Sequence, residues 1–183
     1  VSPNSEGGFR DNPTDMKGRK VLLSDTDHLW GIGGDAIWVW KTVTRGLNPI
    51  FMDTYDGKVL GKVRPEDEAP RRAMGHALEY SRRMNLARAT PQNALSSTGY
   101  CLADPGMSYL IFAPEGGSIE VDLKAGKELF AVEWRNLVTH KRITASKASG
   151  GAKRTFQAPF NSAAVLFLEK ESPSSSRTSP KQP

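Results

Sequence analysis

The sequence predicts an α/β portion followed by an all-β portion, and three observations carry that expectation. Before residue 86, two short apolar runs ending in acids alternate with two segments of helical character. After residue 86, short segments with alternating apolar and polar residues are separated by turn residues. Strand, helix, strand, helix in succession implies parallel strands, whereas period-two alternation with one polar face implies antiparallel ones.

The elements follow in order. "KVLLSDTD" (19–27) reads as a buried strand with polar groups at its carboxyl end. "GGDAIWVWKTVTRG" (33–46) reads as a helix, with Asp35 as N-cap, Lys41 and Arg45 late, and Gly46 at the C-terminal stop. "NPIFMDTYDG" (48–57) repeats the strand pattern, and residues 64–85 form a second helix. Pro65 and the acids Glu66, Asp67 and Glu68 suit its first turn; Ala73, Met74, Ala77, Leu78 and Met84 make its apolar stripe. Strands are expected at 109–113, 118–123, 129–136, 154–160 and 163–169, with "PEGG" (114–117) as a hairpin connection. Ile119, Val121 and Leu123 alternate with acids, as do Phe130, Val132 and Trp134 with other residues, which suggests a small sandwich with Trp134 in its core. The tail, 172–183, is expected to be disordered.

Composition narrows the function classes. The 183 residues carry 25 Lys and Arg against 20 Asp and Glu, a formal net charge of +5. Acids are interleaved with the bases throughout, so the charge reads as a solvated surface and no nucleic-acid partner is expected. One cysteine, Cys101, rules out an internal disulfide; beside Tyr100 and Leu102 it reads as a small buried hydrophobe. No apolar run approaches a membrane span, and no membrane partner is expected. The polar N-terminus has neither an initiator Met nor a signal-peptide pattern, so the chain reads as beginning inside something longer.

Chemistry concentrates in "SDTDHLWGIGGDAIWVWK" (24–41). Asp25 and Asp27 at a strand end can serve as acid and base, as nucleophile or as hard-cation ligands. Equally, they can cap the following loop. Asp53, Tyr55 and Asp56 end the second strand, and parallel geometry would set them beside Asp25 and Asp27; Asp56-Gly57 also reads as a turn. Trp30, in the loop, is the binding candidate among the tryptophans, and Trp38 and Trp40 read as packing. "GIGG" lacks the G-x-G-x-x-G spacing of a dinucleotide fingerprint. "DTD" resembles the D-x-D of haloacid-dehalogenase phosphatases, but His28-Leu29 stands where that family has Gly-Thr. His76 reads as structural, and His140 as exposed in a turn.

"KVLLSDTDHLWGIGGDAIWVWKTVTRGLNPIFMD" resembles the last two β/α units of a bacterial group of barrel glycoside hydrolases that includes the apiosidase-like enzymes. "STGYCLADPGMSYLIFAPEGGSIEVDL", with "FAVEWRN" and "RTFQAPFNSAAVLFLE", resembles their C-terminal β-sandwich, which carries a collagen-binding label. The ordered landmarks are Gly99 to Ala103, Gly116-Gly117, Trp134-x-Asn136 and Ala158-Pro159-Phe160.

The resemblance implies α/β plus all-β: the last two β/α units of an incomplete (β/α)8 barrel (1–86), a small antiparallel β-sandwich (87–171) and the tail. It implies a C-terminal fragment of a glycoside hydrolase, inactive alone, from a secreted or periplasmic parent. A carboxylate at the seventh strand, Asp25 or Asp27, would be catalytic; many relatives have Glu there. His28, Trp30, Asp53 and Tyr55 would orient sugar. The expected partner is carbohydrate, with packing of barrel remnant on sandwich and self-association through exposed strand edges; no cofactor or metal is expected. The alternative is a non-catalytic sandwich that binds carbohydrate or matrix protein, or braces the barrel. This chain has Leu137 to His140 where relatives often carry Pro-x-Thr-Gly, so that turn is expected to differ.

Overall fold

The computed structural model describes residues 9–15, 21–30, 33–52 and 64–171. Near the start, β1 (Leu23–Asp25) and β2 (Asn48–Ile50) pair in parallel, with Ser24 opposite Pro49. Between them lie a short helix, α1 (Thr26–Trp30), and a longer one, α2 (Ala36–Thr44). The Asp35 carboxylate accepts from the Trp38 backbone N–H at 2.6 Å and caps α2, a contact worth about 1 kcal/mol. A 3-10 turn (Pro65–Asp67) leads into α3 (Glu68–Ser81).

The remaining strands are β3 (Thr90–Pro91), β4 (Cys101–Asp104), β5 (Ser108–Ala113), β6 (Ser118–Asp122), β7 (Leu129–Asn136), β8 (Arg142–Ser149), β9 (Lys153–Gln157) and β10 (Ala164–Lys170). Six form one antiparallel sheet in the order β3-β4-β5-β10-β7-β8, and β6 pairs with β9 in a separate ribbon. β10 is inserted between β5 and β7, so Leu166 faces Ile111 on one side and Trp134 on the other.

Two cores share the large sheet. On one face Ala103, Tyr109, Ile111, Phe130, Trp134 and Leu166 meet Ile119, Val121 and Phe156 of the β6–β9 ribbon. On the other face Leu102, Leu110, Phe112, Val165 and Phe167 meet Trp38, Trp40 and Val43 of α2 and Ala73, Ala77 and Tyr80 of α3. β5 is buried along its whole length for this reason, which is why its residues 109–113 form an apolar run rather than an alternation.

The expected architecture, the last two β/α units of an incomplete (β/α)8 barrel followed by a small antiparallel β-sandwich, is corrected. Antiparallel strands dominate, helices are few, and β1 and β2 are three-residue strands that pair, among the described residues, only with each other. A barrel wall requires each strand to be bonded on both sides. Val21 and Leu23 are 73% and 40% exposed, so "KVLLS" is not a strand buried on both faces, as a parallel sheet demands.

Smaller expectations change as well. Residues 26–30 coil into α1 instead of continuing a strand and a loop. The second helix ends at Ser81; it buries Pro70, Ala73, Ala77 and Tyr80, Leu78 faces outward, and Met84 just beyond it is buried as expected. "PEGG" is not a hairpin, because β5 pairs with β4 and β10 while β6 pairs with β9; the turn carries the chain from one sheet to the other. Asp53, Tyr55 and Asp56, and the tail from residue 172, lie outside the described residues.

Candidate functional site

Of the expected site residues, Asp25, Asp27, His28 and Trp30 sit at the carboxyl end of the β1–β2 pair, and Asp53 and Tyr55 lie outside the described residues. Asp25 closes β1, and its Oδ1 accepts the backbone N–H of Asp27 at 3.0 Å. That bond turns the chain at once into α1, because an Asx side chain bonding two residues ahead mimics a backbone turn. Oδ2 of the same carboxylate lies 3.8 Å from Nδ1 of His28, one helical turn on. Asp25 is partly buried, whereas Asp27 and His28 are exposed. The Thr26 hydroxyl points inward and accepts the Met52 backbone N–H at 2.7 Å, tying the end of β1 to the chain just past β2.

Trp30 completes this end. It packs edge-on against Trp38 with ring centroids 5.2 Å apart, and the Arg10 guanidinium stacks over it at 5.0 Å. The indole therefore contacts both the core and a cation. Gly34 follows with φ +141, and a Cβ there would come 3.0 Å from the Thr26 methyl and 3.6 Å from the Phe51 ring. Only glycine lets the loop approach the strand ends so closely.

Sequence reasoning missed several groups at this end. The Arg64 guanidinium grips Asp67 through two bonds, Nε to Oδ2 at 2.9 Å and Nη2 to Oδ1 at 2.8 Å. Asp67 is 1% exposed, and the hydrogen bond to it raises the Arg64 pKa above its ordinary value. The Arg71 guanidinium lies over the Phe51 ring at 5.5 Å. The only sequence signal for the first pair is Arg and Asp three residues apart across a helix start, a spacing that also suits a simple capping interaction.

The arrangement brings Asp25, Asp27, His28 and Trp30 to one end of the short sheet. It offers a carboxylate beside an imidazole, able to accept and donate hydrogen bonds to a hydroxyl, next to an aromatic ring. Through its bond to the Asp27 N–H, Asp25 performs the capping role. Among the described residues no three His, Cys, Asp or Glu side chains gather in a way that could hold a metal ion. No helix of the described residues is long and apolar enough to cross a membrane.

A cleft of about 610 Å³ lies elsewhere among the described residues. Val21, Leu47, Pro49, Met74, Leu78 and Leu102 line it, around the starts of β1 and β2. None of Asp25, Asp27, His28 or Trp30 reaches it. His140, expected to be exposed, is partly buried against His76, with ring centroids 5.4 Å apart.

No family model matches the sequence, and no curated protein matches it. Solved structures do. A structure described as a glycoside hydrolase superposes with a TM-score of 0.61 at 13% identity, over 92% of this chain and 46% of its own. A glycoside hydrolase family 5 structure from Bacteroides vulgatus ATCC 8482 gives 0.55 at 11% identity, over 74% of this chain and 35% of its own. The fold is glycoside-hydrolase-like, and the chain spans less than half the length of either neighbour.

Proposed function

We propose that this chain is part of a carbohydrate-active hydrolase, and that the end of β1–β2 carrying Asp25, Asp27, His28 and Trp30 faces sugar. The observation that carries the reading is the Asp25–His28 pair beside Trp30, at a strand end of a fold shared with glycoside hydrolases. Carboxylate and imidazole supply directional bonds to hydroxyls, and an indole offers the flat apolar face that a pyranose C–H surface prefers. Asp25 or Asp27 would act as nucleophile, base or transition-state stabiliser, with Asp53 and Tyr55 orienting the sugar. An apiosidase-like activity on a plant polysaccharide is the specific form of this proposal.

Hydrolysis of a glycosidic bond generally needs two carboxyl groups flanking it, roughly 5–10 Å apart. Here one carboxylate is committed to the backbone N–H at the start of α1, and Asp27 lies in that same first turn. The chain alone is therefore expected to bind sugar weakly and not to turn it over.

The test is affinity electrophoresis and reducing-sugar release with the full 183-residue chain on arabinoxylan, pectin and cellulose derivatives. Retardation by at least one polymer, lost in Trp30→Ala and His28→Ala, is expected, with no sugar released. Retardation by none would sink the sugar-facing reading, and release of reducing ends would refute inactivity of the isolated chain.

A second reading has its own support. The face of the large sheet opposite the β6–β9 ribbon is covered by α2 and α3 and is tied to α3 through Tyr80, Arg83 and Arg135. That favours the sheets as a brace for the helical part over a free module that captures collagen or another matrix protein. Pull-down by collagen would contradict the brace.

A further inference from the structure

The two histidines of the α3 face belong to neither the candidate sugar site nor the ion network beside it. His76 comes from the middle of α3 and His140 from the turn between β7 and β8. Their rings lie 5.4 Å apart, inclined at 54°. His140 has φ +60 and is the one non-glycine residue in the left-handed region among the described residues. Its Nδ1 is buried and has no hydrogen-bond partner among them.

The turn is built to hold this imidazole inward. The Asn136 carboxamide oxygen accepts the backbone N–H groups of Val138 at 2.8 Å and Thr139 at 2.7 Å, and the Asn136 N–H bonds the Lys141 carbonyl at 2.9 Å. A histidine held in an unfavourable backbone region, with a buried nitrogen left unpaired, is a place where the surroundings impose the conformation.

We propose that His76 and His140 form an acid-sensitive latch, which holds the β7–β8 turn against α3 at neutral pH and releases it when the imidazoles take up protons. The inference is independent of the proposed sugar site.

The charges around the pair set its sign. His76 faces Arg135 from β7, His140 from the turn, and Arg72 and Glu79 from its own helix. His140 faces Arg72 and Glu68 from α3 and Arg135 from β7. The carboxylates are already committed: Glu79 bonds both Arg135 and Arg142, and Glu68 bonds Arg72. A proton placed on either ring therefore meets a second imidazole and two guanidiniums, with no unclaimed anion among these groups. Burial first, then Arg135 and His140, hold the His76 pKa down at about 4, against 6.5 ordinarily. Burial and the two arginines lower that of His140 as well.

For a base whose pKa is lowered in the closed state, the closed state is favoured fully above the ordinary value. It is lost progressively as pH falls from 6.5 toward 4. Each proton taken up on opening multiplies the opening equilibrium by up to about tenfold per pH unit in that window.

The experiment is an imidazole NMR titration of the full chain with amide exchange of residues 137–141 and 68–81, corrected for intrinsic exchange, from pH 7 to pH 5. Wild type is expected to show His76 titrating well below the ordinary imidazole value of 6.5. Opening of the 137–141 turn should rise severalfold across the range. His76→Gln with His140→Asn, asparagine being able to keep the left-handed backbone, should flatten that rise. An ordinary His76 titration, an opening rate independent of pH, or an undiminished rise in the double variant would each overturn the latch.

Discussion

Removing one oxygen from Tyr80 tests how α3 is held to the sheet. The side chain is fully buried, and its ring lies 6.1 Å from Trp40 and 5.1 Å from Phe167. Its hydroxyl donates to Glu133 Oε1 at 2.7 Å and accepts from Arg135 Nε at 3.2 Å. Burial raises the phenol above its ordinary pKa, so it remains a donor at any working pH. Tyr80→Phe keeps the ring and deletes only these two bonds. A hydrogen bond to a charged group contributes about 1.5–3 kcal/mol. Both charged partners keep another contact, Glu133 with Arg83 at 3.2 Å and Arg135 with Glu79 at 2.7 Å, which limits the loss. The expected destabilisation is about 2–3 kcal/mol, well below the sum of two complete losses. For a chain of this size it corresponds to a Tm lower by about 4–12 °C. Urea and thermal unfolding followed by circular dichroism measure it, and a double-mutant cycle with Glu133→Gln isolates the coupling. A loss under about 0.5 kcal/mol, or a coupling near zero, would refute the idea that this hydroxyl joins helix to sheet.

Two further outcomes follow from close packing. Gly116→Ala should cost about 2–5 kcal/mol, from an adverse backbone region and overpacking together: φ is +65, and the new Cβ would fall 2.5 Å from the Ser162 carbonyl oxygen and 2.9 Å from that of Phe160. Gly117→Ala, with φ +71 and open space around it, should cost only about 1–2 kcal/mol; equal urea midpoints for the two variants would contradict this. Burial pushes the Cys101 thiol up to about 12, so a thiol reagent at about pH 8 should label it only through opening of the structure, far more slowly than in denaturant. Rapid labelling without denaturant would show that the site opens locally.

The β-rich part was legible where burial has a simple period. Ile119 and Val121, and Phe130, Val132 and Trp134, are the inward residues of β6 and β7. β8 escaped notice because "RITASKAS" at a sheet edge carries little apolar signal. No local pattern could show that β10 lies between β5 and β7, since that pairing joins segments far apart in sequence. The barrel expectation failed on "KVLLS": an apolar run reads as a buried strand, but of its described residues Leu22 and Ser24 are enclosed while Val21 and Leu23 face out. At the candidate site, residue types were visible but geometry was not. Asp25 carries the same letter whether it caps α1 or meets a ligand, and the pairing of Arg64 with Asp67 depends on a turn too short to announce itself.

The large sheet is apolar on both sides through its middle strands, and this decides how the protein can be divided. A cut between α3 and β3 would strip Trp38, Trp40 and Tyr80 away from Leu102, Leu110, Phe112, Val165 and Phe167. Those five side chains lie on adjacent strands and would form one continuous greasy surface, the kind that draws proteins together out of solution. Residues 88–171 expressed alone would then report on their own stickiness. Any binding measured on such a piece would need the helices restored before it could be credited to the protein.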